Sequence, residues 1–367
     1  MSAISEMKNV AVENSASENV AVREVVWNVS QKNIVILATG GTIAGAGELG
    51  KDVGYKSGSI EAQTLIDAIP ELKNVANIFV EQVCNINSDD ITSEIWIRLA
   101  RRIKELSENG FGASHENVDG FVLMHGTDTM EETAFFLCLT LGGFASRGAG
   151  QSVDCASDVW KAAKPVVLTG SMRPATAAEP DGPANLLFAV KSAVEMSAEN
   201  AAGVYIAFSG KLMNACSVQK IHANDLDAFD EVNGGGFGAS VMPAFDISSL
   251  QKLPRVSVLY FNADADVELV HFAAERSAGL VIAGAGAGEF SQAWAVALSD
   301  AVSKSKIPVV ISTRINRGCI GPEQLLVPGT IAAYDLPPAK AAVLLRLALT
   351  VTKDPQEIQK MLGSSCT

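Results

Sequence analysis

Short apolar runs of about six residues alternate with helical segments of roughly 10–18 residues through most of the chain, and no feature narrows its fold more. "NIVILATGG" is a buried-type strand ending in glycines. "SIEAQTLIDAI" follows as a helix, "NIFVEQV" as a strand and "ITSEIWIRLARRIKELSEN" as a second helix. The strands "GFVLMHG", "PVVLTGS" and "GVYIAFS" come next, separated by the helices "TMEETAFFLCLTL" and "GPANLLFAVKSAVEM". Strands joined through helices form βαβ units, so the expected fold class is α/β with a mostly parallel sheet. Further on, "RVSVLYF", "AGLVIAGAGAG", "KIPVVISTR" and "PPAKAAVLLRLALTV" make a second, smaller α/β unit.

A chain of 367 residues suits two domains. We expect an N-terminal tail over 1–31, a larger N-terminal parallel-sheet domain over 32–236 and a smaller C-terminal α/β domain over 255–367. The linker is set at 237–254, inside the glycine-rich and then proline-containing stretch 231–254, and 143–161 reads as a surface loop. Hydrophobic residues at 48% with charged residues at 19% fit a soluble α/β protein. The net charge of −13 opposes nucleic acid, whose phosphates reward Lys and Arg, and an anionic membrane surface as well.

The first thirty residues lack the continuous apolar core of a signal peptide, and no run of about eighteen apolar residues offers a membrane span. A cytoplasmic protein is therefore expected. Six scattered cysteines without a CxxC pair read as free or buried thiols. His115, His125, His222 and His271 form no metal-binding spacing, so no metal site is expected.

In parallel α/β sheets ligands bind at the carboxyl ends of the strands. Several polar motifs fall at such ends: "ATGGTIAG" (38–45), "NINSDDI" (85–91), "HGTDTMEET" (125–133), "TGSMRP" (169–174) and the turn before "SVQK" (217–220). Each has a plain reading. Thr127 or Asp128 could cap a helix whose first turn is completed by Thr129 or Glu131. The same pair would also set a hydroxyl and a carboxylate at a helix N-terminus, whose N–H donors suit an anionic group. The glycines of 40–47 do not keep the G-x-G-x-x-G spacing, and "GAGAG" at 284–288 lacks an acid about 20 residues on, so a nucleotide cofactor is not expected. A threonine such as Thr42 is a weak nucleophile without a neighbour to take its proton. Lys220, Tyr55 and Asp128 are the candidates, against readings of Lys220 as a solvated amine and Tyr55 as a loop aromatic.

"ILATGGTIAG" together with "HGTDTMEETAFFL" resembles the bacterial L-asparaginase family, especially its high-affinity class. The likeness continues through "GYKSGSIEAQTLIDAIPEL", "SMRPATAAEPDGPANLLFAV", "VQKIHANDLDAF" and "AAVLLRLALTVTKDPQEIQKML", covering most of 32–364. The resemblance implies hydrolysis of L-asparagine to L-aspartate and ammonia without metal or cofactor, with glutamine a slower substrate. It also implies a homotetramer built from dimers that share active sites. By the same resemblance Thr42 matches the nucleophile and Tyr55 the loop tyrosine that activates it. Thr127, Asp128 and Lys220 match a second threonine triad that handles protons and positions the carbonyl. Ser88 matches the serine that holds the substrate α-carboxylate, and Asp128 also faces the α-ammonium.

Three positions and one loop length depart from the family pattern. Asp89 stands where Gln is common after the binding serine, and Asp264 where a neighbouring subunit contributes an asparagine. Cys216 replaces an arginine four residues before the lysine. Glu323 matches the partner-subunit glutamate across a shorter loop. These departures bear on specificity and assembly more than on reaction type. Two other readings share the motifs: the amidase subunit of a tRNA-dependent amidotransferase, and an amino-acid-binding protein that has lost the chemistry. The first normally carries an RNA-associated domain that a thirty-residue acidic tail does not replace. The second has no need of a nucleophile with its base.

Overall fold

The computed structural model describes residues 28, 30–48, 51, 58, 60–141, 164–233 and 244–363. Most of the expected tail, Tyr55, the 143–161 loop and much of the 231–254 stretch lie outside the described residues. The described residues fall into two compact units, one within Met1–Ala134 and Ala149–Asp230, the other within Phe135–Gly148 and Glu231–Thr367.

The larger unit opens with β1 (Asn33–Gly40), every residue of which is buried. A strand covered on both faces has no polar side to alternate with, so it reads as one apolar run. The short helices α1 (Ala62–Asp67) and α2 (Leu72–Val75) lead to β2 (Asn77–Ile86). Next comes α3 (Ser93–Asn109), which begins where the Thr92 hydroxyl accepts Ile95 N–H and ends at Gly110 with φ 73°. It buries Trp96, Ile97, Leu99, Ala100, Ile103 and Leu106, the 3–4 spacing of one helix face. The strands β3 (Gly120–Met124), β4 (Pro165–Thr169) and β5 (Gly203–Phe208) are linked through α4 (Met130–Thr140) and α5 (Gly182–Ala198). A hairpin partner β6 (Lys211–Asn214) and a small ladder of β7 (Val218–Lys220) with β8 (Phe229–Glu231) follow.

The sheet order is β2-β1-β3-β4-β5-β6. All pairs are parallel except β5 with β6. Between β1 and β3 the order reverses direction, the topological switch point where doubly wound sheets open a crevice at their carboxyl ends. The strand ends there are level, with Ala38 opposite Met124. Ile34, Ile36, Ala38, Val122, Met124 and Val167 pack one face of the sheet against Leu186, Ala189 and Val190 of α5 and against Ile66 and Leu72.

The second unit is a four-stranded parallel sheet, β12-β11-β10-β9 in space. Its strands are β9 (Val256–Tyr260), β10 (Gly279–Gly284), β11 (Val309–Thr313) and β12 (Ile331–Ala332). Its helices are α6 (Glu268–Arg276), α7 (Gln292–Ser303), α8 (Pro338–Ala348) and α9 (Pro355–Leu362). Trp294, Leu298, Ile282 and Ile311 centre its core. The expected class, a larger N-terminal sheet domain with a smaller C-terminal α/β domain, is the fold observed. Cys84, Cys138 and Cys216 stand outside any disulfide, whereas Cys319 is disulfide-bonded, which corrects the all-thiol expectation at that position.

Candidate active site

The chain leaves β1 through Gly40 and Gly41, with φ 103° and 83°, a region that only glycine enters without strain. Gly41 N–H donates to Ile86 O at 3.0 Å, tying the exit to the end of β2. Thr42 then starts a single tight turn, Thr42–Ala44, closed by Gly45 N–H on Thr42 O at 2.7 Å. Thr42 is half-buried in this turn.

Gly126, just past β3, meets Gly41. A Cβ added to Gly41 would lie 2.5 Å from Gly126 Cα, and one added to Gly126 would lie 2.7 Å from Ser88 Oγ. Gly170, past β4, would collide with the His125 carbonyl if it carried a Cβ, and would stand 3.3 Å from Thr127 Cγ2. Missing side chains at three glycines thus let the loops after β1, β2, β3 and β4 converge. Thr42, Ser88 and Thr127 sit in or beside those contacts. Thr39 Oγ1 donates to Met124 O at 3.0 Å and Thr129 Oγ1 to Ser88 O at 2.6 Å, holding the loops in place.

Lys220 completes the cluster from the end of β7. Its Nζ donates to Thr127 Oγ1 at 2.9 Å and pairs with Asp128 Oδ1 at 2.5 Å. Its backbone N–H donates to Glu131 Oε2 on the first turn of α4, also at 2.5 Å. The lysine side chain is only 16% exposed, the Asp128 side chain 69%. Lys220 is therefore no solvated surface amine, and Thr127 and Asp128 face the lysine beyond any capping they do. Ser88 is buried and Asp89 exposed in the same short turn, Ser88–Asp90.

"TGSMRP" is scaffold. Met172 N–H and Arg173 N–H each donate to the Asp181 carboxylate at 2.9 Å, and Asn185 Nδ2 holds Gly170 O at 3.0 Å. Ala175 N–H reaches Gly45 O at 3.1 Å, bracing the turn that carries Thr42.

Tyr55 lies outside the described residues. Asp264 and Glu323 belong to the second unit. Asp264 is an exposed loop residue with φ 59°. Glu323 is exposed in the turn Pro322–Gln324. Burial, and after it the Glu323 carboxylate, pushes the Tyr334 phenol up. Sequence reasoning missed Glu131 and His125 as parts of the site's neighbourhood. Both lie in "HGTDTMEET", yet neither spacing nor residue type shows that one holds the Lys220 backbone and the other the Gly126 carbonyl.

Hydroxyls, a lysine and carboxylates gathered on backbone-tight loops at a switch point define a small-molecule site of an α/β enzyme. Among the described residues no three His, Cys, Asp or Glu side chains gather where a metal ion could be held, and no helix is long and apolar enough to cross a membrane.

Comparison with known proteins identifies the lineage. Residues 33–146 and 155–247 match the model for the asparaginase N-terminal domain, and 255–362 the glutaminase/asparaginase C-terminal domain. The chain is 37% identical to a probable periplasmic L-asparaginase of Haemophilus influenzae, covering 89% of this chain and 91% of that one. It is 36% identical to L-asparaginase 2 of Escherichia coli, covering 90% and 92%. The crystal structure of a probable cytoplasmic L-asparaginase from Campylobacter jejuni superposes with a TM-score of 0.76 at 36% identity, over 90% of this chain and 99% of that one. The chain belongs to the asparaginase family.

Proposed function

We propose that the protein hydrolyses the side-chain amide of L-asparagine to L-aspartate and ammonia through an acyl-threonine intermediate at Thr42. The observation that carries this reading is the Lys220 Nζ bridge between Thr127 Oγ1 and Asp128 Oδ1, on a loop in backbone contact with the turn of Thr42. Thr42 Oγ1 attacks the amide carbon, with Tyr55 assigned to take its proton. The tetrahedral intermediate is stabilised by backbone N–H groups at Thr42 and Thr127, which act in a partly dry site. The C–N bond then breaks, the nitrogen taking the proton that left Thr42, passed on from Tyr55 and delivered through Thr127 and Lys220, and ammonia leaves. Water attacks the ester, the Thr42 oxygen regains its proton, and aspartate is released.

Ser88 is assigned to the substrate α-carboxylate and Asp128 to its α-ammonium, with Asp89 beside them. Asp264 and Glu323 are assigned to the site of a neighbouring subunit, in a homotetramer built from dimers. On this account monomeric fractions are inactive, which sedimentation run alongside activity tests; a fully active monomer at nanomolar protein contradicts it. We assign the protein to the cytoplasm, in keeping with the Campylobacter relative, which is named as cytoplasmic. The Haemophilus relative is named as periplasmic, and cell fractionation decides between the two.

A coupled ammonia assay with asparagine and glutamine side by side tests the function. Release from asparagine, with slower release from glutamine, is expected. Binding of asparagine without ammonia release would instead support a catalytically silent binding protein.

A further inference from the structure

Behind the loop of Thr127 lies a buried chain of side-chain hydrogen bonds that the proposed chemistry does not use. Trp96 Nε1 donates to Thr133 Oγ1 at 2.8 Å, Thr133 Oγ1 lies 3.0 Å from His125 Nε2, and His125 Nδ1 lies 2.8 Å from Gly126 O. His125 and Thr133 are fully buried, and Trp96 is nearly so. The positions of the hydrogens follow from what each atom can do. A carbonyl oxygen only accepts, so Nδ1 carries the hydrogen and donates to Gly126 O. Burial lowers the imidazole to about 4, so the ring is neutral at ordinary pH and Nε2 accepts from the Thr133 hydroxyl. That hydroxyl oxygen in turn accepts the Trp96 N–H.

The chain ends on the peptide that enters Thr127. None of the described peptides is cis, and in a trans peptide the C=O and N–H point in opposite directions. With Gly126 O held inward by the ring, the Thr127 N–H is aimed away from it. Glycine offers little resistance to a peptide flip, so this orientation needs an external lock. A flipped peptide would present Gly126 O, an acceptor, to a developing negative charge.

We propose that His125 is a positioning residue: through Gly126 O it holds the Thr127 N–H toward the reacting carbonyl as an oxyanion donor. The inference rests on the amide hydrolysis proposed above. Gly126 O selects the Nδ1–H tautomer, and Thr133, itself held by the Trp96 N–H, anchors Nε2 so that the ring cannot turn away from Gly126 O.

The test compares His125→Leu, His125→Asn and Thr133→Val with the wild-type enzyme in steady-state asparagine hydrolysis, each variant checked for folding by circular dichroism. Loss of one oxyanion donor costs about 10²–10³-fold in kcat. His125→Leu should fall by that amount with KM within about threefold of wild type and aspartate binding retained. His125→Asn, whose amide can still donate to Gly126 O, should recover at least tenfold of the loss. Thr133→Val should lower kcat about tenfold with the same constancy of KM, and it carries the test alone if His125→Leu does not fold. A folded His125→Leu with kcat within threefold of wild type overturns the inference. So does equal loss in Leu and Asn variants, or an unchanged kcat in Thr133→Val. Wild-type protein that releases no ammonia would remove the proposed function itself, a result distinct from active wild type with unaffected variants.

Discussion

Gly41 and Gly126 approach each other so closely that a Cβ on Gly41 would lie 2.5 Å from Gly126 Cα. This contact joins the loop after β1 to the loop after β3, and so brings the neighbourhoods of Thr42 and Thr127 together. Gly41→Ala is expected to lose at least a hundredfold in kcat/KM and about 3–5 kcal/mol of stability, since it adds both a backbone collision and left-handed strain. Gly210→Ala is the control. Gly210 has φ 75° with nothing within 4 Å of an added Cβ, so strain of about 1–2 kcal/mol is all it should show, with activity kept. Thermal melts and kinetics of the two variants check the difference.

Lys220→Met should lower kcat by about 10²–10⁴-fold, the range of a lost acid–base contribution. Because Nζ reaches both Thr127 and Asp128, Thr127→Val should be similarly impaired. Ser88→Ala should instead mainly raise KM for asparagine, with kcat less affected. Steady-state kinetics on the three variants separate these roles. A lost kcat in Ser88→Ala at constant KM would contradict the assignment of Ser88 to substrate binding.

The strands of the central sheet were legible because β1, β3 and β4 are buried on both faces and read as unbroken apolar runs. The helix over 93–109 was legible in the segment "ITSEIWIRLARRIKELSEN", and the structure ends it between the Thr92 cap and Gly110. The short strands β6, β7 and β8 were not, since three or four residues carry no period. What brings Lys220 to Thr127 is a contact across 93 residues of chain, which no local pattern encodes. The glycines announced tight turns, but which backbone each approaches depends on the strand order. His125 looked inert for a related reason: its partners Gly126 and Thr133 are near in sequence, yet Trp96 comes from another helix.

Stability should fall as pH drops from about 6.5 to about 4. The folded His125 binds its proton only near 4, whereas an unfolded histidine binds near 6.5, so the unfolded state holds more protons in that window and is favoured there. The stability contribution is complete above about 6.5 and has gone below about 4. A shift of this size corresponds to about 3 kcal/mol. His125→Asn removes the group, so its melting temperature should change less between pH 7 and pH 4.5 than that of wild type. Equal shifts would show that other groups set the acid limb.

Asp89 is exposed in the turn that carries Ser88, where an ionised carboxylate can only accept hydrogen bonds. It should strengthen the hold on the substrate ammonium and repel the extra carboxylate of the product. Asp89→Gln is therefore expected to show stronger inhibition by aspartate and a lower ratio of asparaginase to glutaminase activity. Measured at pH 7.5, changes below about twofold in both quantities, under about 0.5 kcal/mol, would make Asp89 a bystander.

The central claim is that Thr42 forms the covalent bond, and rapid-quench mass spectrometry tests it most directly. Protein mixed with asparagine, quenched within a turnover and digested should carry an aspartyl ester on the peptide containing Thr42. Thr42→Ala should carry none and release no ammonia above background while still binding aspartate. An acyl group found on Thr127 instead, or near-normal ammonia release from Thr42→Ala, would contradict the account.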